Sequence, residues 1–479
     1  MLFNSLDFAI FLPVLFILYS LIPGKSLRFQ NLLLLIASYF FYACWDWRFL
    51  FLLAFSTGLD YFTGKKIHES EHRSKRRAWL AVSVLINLGF LGLFKYYNFF
   101  IENFATLLHS FGSSVHLSTL NIILPVGISF YTFHGLSYVF DIYNRKINPC
   151  ESVVNYSLFV GFFPLLVAGP IERATHLLPQ IEKPRVFSEQ KAFDGLRQIL
   201  WGLFKKVVIA DNCANYANLI FNHSGDYSGS TLVLGAVFFA FQIYGDFSGY
   251  SDIALGTARL FGIELLRNFS FPYFARDIAE FWRRWHISLT TWFRDYLYIP
   301  LGGSRGGMLM AIRNTFIIFL VSGFWHGANW TFVIWGLLNA LYMMPLILLK
   351  RSRNHLTIVA AEKKFPGARD LMNILCTFAL TTFAWIFFRA ENIKQAFSIV
   401  SEIFSVSLFN IPELLPRTPI LLIILFVFME WNGRRDAYAI EKLGLNWNPL
   451  YRWTFYYLLF LLIFMLKPAE NQPFIYFQF

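Results

Sequence analysis

The 479-residue chain is 56% hydrophobic and only 15% charged, with 57 phenylalanines and a net charge of +12. Soluble globular chains carry about 25% charged residues, so several water-facing domains are excluded, as are disordered, collagen-like and disulfide-scaffold chains. The basic surplus fits cytoplasmic loops facing anionic membrane lipids better than a nucleic-acid partner. The chain therefore reads as an all-α, polytopic membrane protein, one integral-membrane domain over residues 1–479.

Stretches free of charge mark the expected spans at 8–24, 31–45, 49–59, 78–94, 103–140, 152–171, 227–245, 314–349, 371–388, 418–429 and 453–466. A straight span needs about 20 apolar residues. Several runs are shorter and the longest hold more than one segment, which predicts roughly ten to twelve helices plus half-length or re-entrant pieces. The first run shows no small-residue cleavage site, so it reads as a membrane helix rather than a signal peptide. Cys44, Cys150, Cys213 and Cys376 are scattered without a CxxC pair and are expected to be buried free thiols.

Sidedness follows from Lys and Arg. The loop KKIHESEHRSKRR (65–77) carries six basic residues against Glu69 and Glu71, which places it inside. Counting back puts Lys25 and Arg28 inside and the N-terminus outside; counting forward, 96–144 is free of Lys and Arg, and Arg145 and Lys146 return inside. The run 152–171 has basic residues on both flanks, which predicts a segment that enters the membrane and turns back near Gly169 and Pro170. The region 267–313 holds seven arginines among aromatic clusters and no clean span. Irregular backbone at membrane depth persists only inside protein or along a cavity, so an interior chamber is expected.

His326 stands in the uncharged run 314–349, within GFWHGANW. With basic residues at both ends of that run, a short arm is expected to descend and a full helix to return, with His326 near the turn. Burial there disfavours the charged ring, and a neutral imidazole can accept a proton as a general base. His286 follows Arg283 and Arg284 between Trp282, Trp285 and Trp292. Arginines interleaved with aromatics suit a phosphate- or carboxylate-bearing donor, and equally an interfacial helix. In QIYGDFSGYSDIALG (242–256), Gly245 and Gly249 form a GxxxG step that permits close helix packing. Asp246 and Asp252 point in different directions, which favours structural or supporting roles over a paired-carboxylate site. His134 reads as lining or packing; the remaining histidines, His116 among them, lie in charged or extramembrane stretches. There is no HExxH, EF-hand loop or P-loop, so neither a metal site nor ATP-driven chemistry is expected.

SGFWHGANWTFVIWG, FWRRWHISLTTWFRDYLYIPLGG, QIYGDFSGYSDIALG, LPVGISFYTFHGLSYVFDIY and FFPLLVAGPIER, with the C-terminal FIYFQF, occur in one order. Together they resemble the membrane-bound O-acyltransferase family, nearest its bacterial alginate O-acetylation branch; His134 stands where that branch leads us to expect Gln. The resemblance implies a ring of helices around a central tunnel, and an essential histidine at His326 with a second functional histidine at His286. It implies a multi-pass protein of the bacterial inner membrane that moves an acetyl group from a cytoplasmic thioester, acetyl-coenzyme A or an acyl carrier, to a polysaccharide. An extracytoplasmic, SGNH-hydrolase-like transferase would be the partner and no resident cofactor is implied. Arg283, Arg284, Trp325, Asn329, Asp246 and Asp252 are the candidates for donor binding or support, with Gly327 N–H or the Asn329 amide facing the oxyanion. A polysaccharide transporter or export channel is the alternative; it should show charged relays or two related halves, and no internal repeat is visible.

Overall fold

The computed structural model describes residues 1–22, 26–112, 118–120, 122–468 and 472–475, so Lys25, His116 and most of FIYFQF lie outside the described residues. Among them there are helices and no strands, divided into two compact units: 1–191 with 258–266, and 192–257 with 267–479. Six helical stretches are long and apolar enough to cross a membrane.

The first unit begins with α1 (Leu6–Leu21), α2 (Leu27–Asp46), α3 (Phe49–Glu69), α4 (Arg73–Leu91) and α5 (Tyr97–Ser110). It continues through α6 (Ile128–Tyr143), α7 (Val153–Gly161), α8 (Phe163–Leu166) and α9 (Ala174–Ile181). The run 152–171 is not one helix: it forms the short α7 and α8, broken at Phe162, and irregular backbone after Leu166. Helices of this unit are joined by polar contacts, because lipid gives apolar faces little reason to associate. Asp60 on α3 accepts from Ser83 Oγ at 2.6 Å and Asn87 Nδ2 at 2.9 Å on α4. Arg185 donates to Tyr19 Oη at 2.9 Å and Asn31 Oδ1 at 2.5 Å.

The chain then enters α10 (Glu189–Leu203), a π-helical turn (Phe204–Ala210), α11 (Asp211–Asn222) and the 32-residue α12 (Gly229–Leu260). The arginine-rich region forms only short helices, α13 (Ile278–Arg284) and α14 (Ile287–Phe293). They are followed by α15 (Met308–His326), α16 (Trp330–Leu348), α17 (Ala368–Arg389), α18 (Ile393–Ile403), α19 (Arg417–Gly433) and α20 (Pro449–Met465). The GxxxG step of α12 packs as expected: a Cβ on Gly249 would lie 2.7 Å from Gly202 O, and one on Gly245 3.0 Å from Lys205 O.

Two expectations need correction. The α15–α16 hairpin has no short arm: both helices have 19 residues, because α15 starts at Met308 and carries Arg313 inside its first two turns. The charge-free run therefore understated the helix. Cys150 and Cys213 are buried but Cys44 and Cys376 are exposed; these two sit on apolar helices, where an outward face meets hydrocarbon and a weakly polar thiol is tolerated.

Glycines set the hairpin spacing. A Cβ on Gly323 would lie 2.3 Å from Phe332 O, and one on Gly336 2.3 Å from Phe319 O. In an exposed helix, Gly→Ala is worth about 1 kcal/mol of helix propensity. Gly336→Ala should invert that sign and lower the thermal midpoint of the detergent-purified protein, by about 1–3 kcal/mol of overpacking. Gly89→Ala on α4 meets nothing within 4 Å and should not lower it.

Candidate active site

His326 is the last residue of α15, and the chain leaves the helix through Gly327 in an extended conformation. A side chain at Gly327 would strike the Phe332 ring, 2.1 Å from the ideal Cβ position, so glycine is required for this tight exit. Three aromatic rings enclose the imidazole: Trp325 at 4.9 Å, Trp335 of α16 at 5.1 Å and Phe388 of α17 at 5.3 Å between centroids. The ring is buried among them. The wall continues as Trp335 stacks on Trp385 at 5.7 Å and Trp385 meets Trp285 at 5.0 Å. Such a wall excludes water, which strengthens any charge interaction formed beside the histidine.

The structure brings His286 and His326 against one indole. Trp325 lies 6.3 Å from the His286 ring and 4.9 Å from His326. His286 starts α14 with φ at 42°, a left-handed conformation that costs a non-glycine residue on the order of 1 kcal/mol. It is held by Asn268, whose Oδ1 lies 3.3 Å from Nδ1, and by an edge-on Phe247 ring at 4.7 Å.

The arginines beside it are interior fasteners. Arg283 donates to Ser352 O at 2.8 Å and His355 O at 2.9 Å, pinning the loop after α16. Arg284 donates to Ser270 O at 3.1 Å and pairs with Glu280 at 2.7 Å; Arg276 pairs with the same carboxylate at 3.0 Å. Asn329 is likewise committed: its Oδ1 caps α16 by accepting from Thr331 N at 3.0 Å, and its Nδ2 donates to Glu391 O at 2.8 Å. Gly327 N–H points back to Gly323 O at 3.4 Å. Both groups expected to face an oxyanion thus have protein partners.

Asp246 and Asp252 diverge as expected, and each meets a lysine that sequence reasoning passed over. Lys205 pairs with Asp252 at 2.6 Å; the adjacent Lys206 pairs with Asp246 and Asp211, each at 2.8 Å. All five side chains are buried or nearly so. Asp252 also accepts from Gln198 at 2.8 Å, and Asp246 from Ile475 N at 2.7 Å. The signal was present: WGLFKKVVIA places two lysines in an otherwise apolar run, and buried ammonium groups require anionic partners. A small cavity of about 20 Å³, room for about one water molecule, lies beside them, walled by polar groups of Lys205, Asp252, Arg267 and Glu430 and by the rings of Trp201 and Tyr244. His134 lies apart from this site, fully buried on α6 with Phe159 at 6.0 Å, a packing position. Among the described residues no group of three or more His, Cys, Asp or Glu side chains is placed to hold a metal ion.

The family model of the membrane-bound O-acyltransferases matches residues 149–388, which contain both histidines and the aromatic wall. The chain belongs to that family. It is a multi-pass membrane protein and an acyltransferase. It is 36% identical to a protein of Pseudomonas putida named probable alginate O-acetylase, over the whole of both chains. The peptidoglycan O-acetyltransferase of Helicobacter pylori is 38% identical over 84% of this chain and 79% of its own. The teichoic acid D-alanyltransferase of Bacillus subtilis is 28% identical over 47% of this chain and 59% of its own.

Removing one partner from a buried ion cluster leaves uncompensated charge and costs about 3–5 kcal/mol. Lys206→Met should therefore sharply lower the thermal midpoint and the monodisperse yield in detergent. Lys442→Met, which breaks an exposed pair with Asp436, should leave both unchanged.

Proposed function

We propose that the chain moves an acetyl group from a cytoplasmic thioester, acetyl-coenzyme A or an acyl carrier, across the inner membrane toward hydroxyls of an extracellular polysaccharide. An extracytoplasmic SGNH-hydrolase-like transferase completes the transfer. The whole chain acts as a single acyltransferase domain. The observation that carries this reading is His326 at the α15–α16 turn, walled by Trp325, Trp335 and Phe388 in a chain of this family.

In the reaction, His326 accepts the proton of the attacking hydroxyl as its oxygen bonds to the thioester carbonyl carbon. The C–S bond then breaks and the leaving thiolate takes the proton from the imidazolium, so the histidine returns to its starting form. The aromatic wall supports this role by keeping water, a competing acceptor, away from the acyl group. His286, one indole away, is read as the second functional histidine, lining the same path. Arg283 and Arg284 support the site through the loops they fasten. The named activities of the relatives cover alginate, peptidoglycan and teichoic acid, so one membrane machine accommodates several acceptors. The polymer made by this chain's host is then the acceptor class to test.

General acid–base groups are worth about 10²–10⁴-fold in rate. His326→Ala should remove O-acetyl esters from the host's envelope polysaccharide to that extent, measured by NMR of the isolated polymer, with wild-type amounts of protein in the membrane. Normal acetylation in that strain would refute the assignment. Membrane vesicles given labelled acetyl-coenzyme A or a labelled acyl carrier will show which donor supplies the label. For topology, a cysteine introduced as Ser70→Cys in the 65–77 loop should resist a membrane-impermeant maleimide in spheroplasts and react after lysis. Labelling before lysis would invert the orientation.

A further inference from the structure

Asn268 follows Arg267 in the segment leading to α13, and it holds the start of α14 at two levels. Its backbone carbonyl accepts from Ile287 N at 2.9 Å, while its side chain faces His286, Ser288 and Ser251. Asn268 and those three residues are all buried, so no bulk water competes for these bonds. The lengths agree with the way the amide points. Ser288 Oγ lies 2.6 Å from one terminal atom and Ser251 Oγ 3.0 Å from the other. Hydroxyl-to-oxygen bonds centre near 2.7–2.8 Å and amide N–H bonds near 2.9–3.0 Å. The oxygen accordingly faces Ser288, and the amide nitrogen donates to Ser251.

That orientation has a consequence for the histidine. The same Oδ1 lies 3.3 Å from His286 Nδ1, and an amide oxygen only accepts, so a hydrogen bond between them places the hydrogen on Nδ1. We infer that Asn268 is a positioning residue that fixes His286 as the Nδ1–H tautomer and so leaves Nε2 with the ring's lone pair. The inference rests on the reading of His286 as a functional histidine. It names the group that sets which nitrogen meets the reaction path. A neutral imidazole has two tautomers, and only one presents an accepting nitrogen at a given position. The left-handed backbone at His286 adds to this, since the ring is held from one end by Asn268 and from behind by Phe247.

The test reads the tautomer directly and independently of activity. Full-length protein carrying ¹⁵N-histidine, reconstituted in lipid bilayers, should show His286, assigned by its loss in His286→Gln, with a protonated Nδ1 and a bare Nε2. In Asn268→Ala the two tautomers should mix, while Asn268→Asp, which keeps an oxygen acceptor at that position, should restore Nδ1–H. Polysaccharide O-acetylation in cells should fall about 10- to 100-fold in the alanine variant, as for outer partners of functional histidines, and recover in the aspartate variant. An Nε2–H signal in the wild type would overturn the inference, as would an alanine variant with unchanged tautomer and acetylation. A defect shared equally by both variants would assign Asn268 a merely structural role and overturn it too. His286→Ala with wild-type acetylation would instead remove the reading of His286 beneath it, and the tautomer spectra distinguish these two failures.

Discussion

Two helices of the second unit touch backbone to backbone where Gly323 of α15 faces Phe332 O and Gly336 of α16 faces Phe319 O. Everything at His326 depends on that contact. With side chains at those glycines the helices would separate, and Trp335 and Phe388 would no longer close around the imidazole. The same device recurs where α10 meets α12: Gly202 of α10 and Gly249 and Gly256 of α12 let carbonyls sit in the space of a missing Cβ. Small residues thus do in this apolar chain what hydrophobic burial does in water, since lipid tails are as apolar as leucine.

The close approach on α12 also sets the electrostatics. Adjacent lysines on the π-helical turn reach aspartates six residues apart. Neither ammonium could persist there alone, and neither carboxylate could, so the cluster assembles together or not at all. Arg276, Arg284 and Glu280 repeat the principle in the short helices that carry His286. Buried charge in this unit fastens irregular backbone that has no long helix to define it.

Much of this was legible in sequence. His326, His286 and the GxxxG step stand in distinctive surroundings, and the absence of a clean span over 267–313 correctly marked short helices. The length of α15 was not legible, because charge-free runs end at Arg313 while the helix runs on to Met308. Arg283, Arg284 and Asn329 have residue types that suit ligand contact, yet each is occupied by main-chain groups. Hydrogen-bond partners from distant segments are invisible to local pattern. Lys205, Lys206 and Asn268 were missed for the same reason: their meaning lies in what faces them.

The length of α12 has its own consequence for the bilayer. Its 32 residues span about 48 Å at 1.5 Å per residue, against a hydrocarbon thickness of about 30 Å. Even a tilt of about 40°, near the limit for membrane helices, reduces its projected height only to roughly 37 Å. More than one turn must therefore stand clear of the hydrocarbon. The ends are built for that: Ser228 and Thr231 bond Glu413 at one, and Arg259 pairs with Glu264 at the other. Asp246 and Asp252 fall in the second half of the helix, so the depth at which α12 is seated decides how far their ion pairs lie from the headgroups.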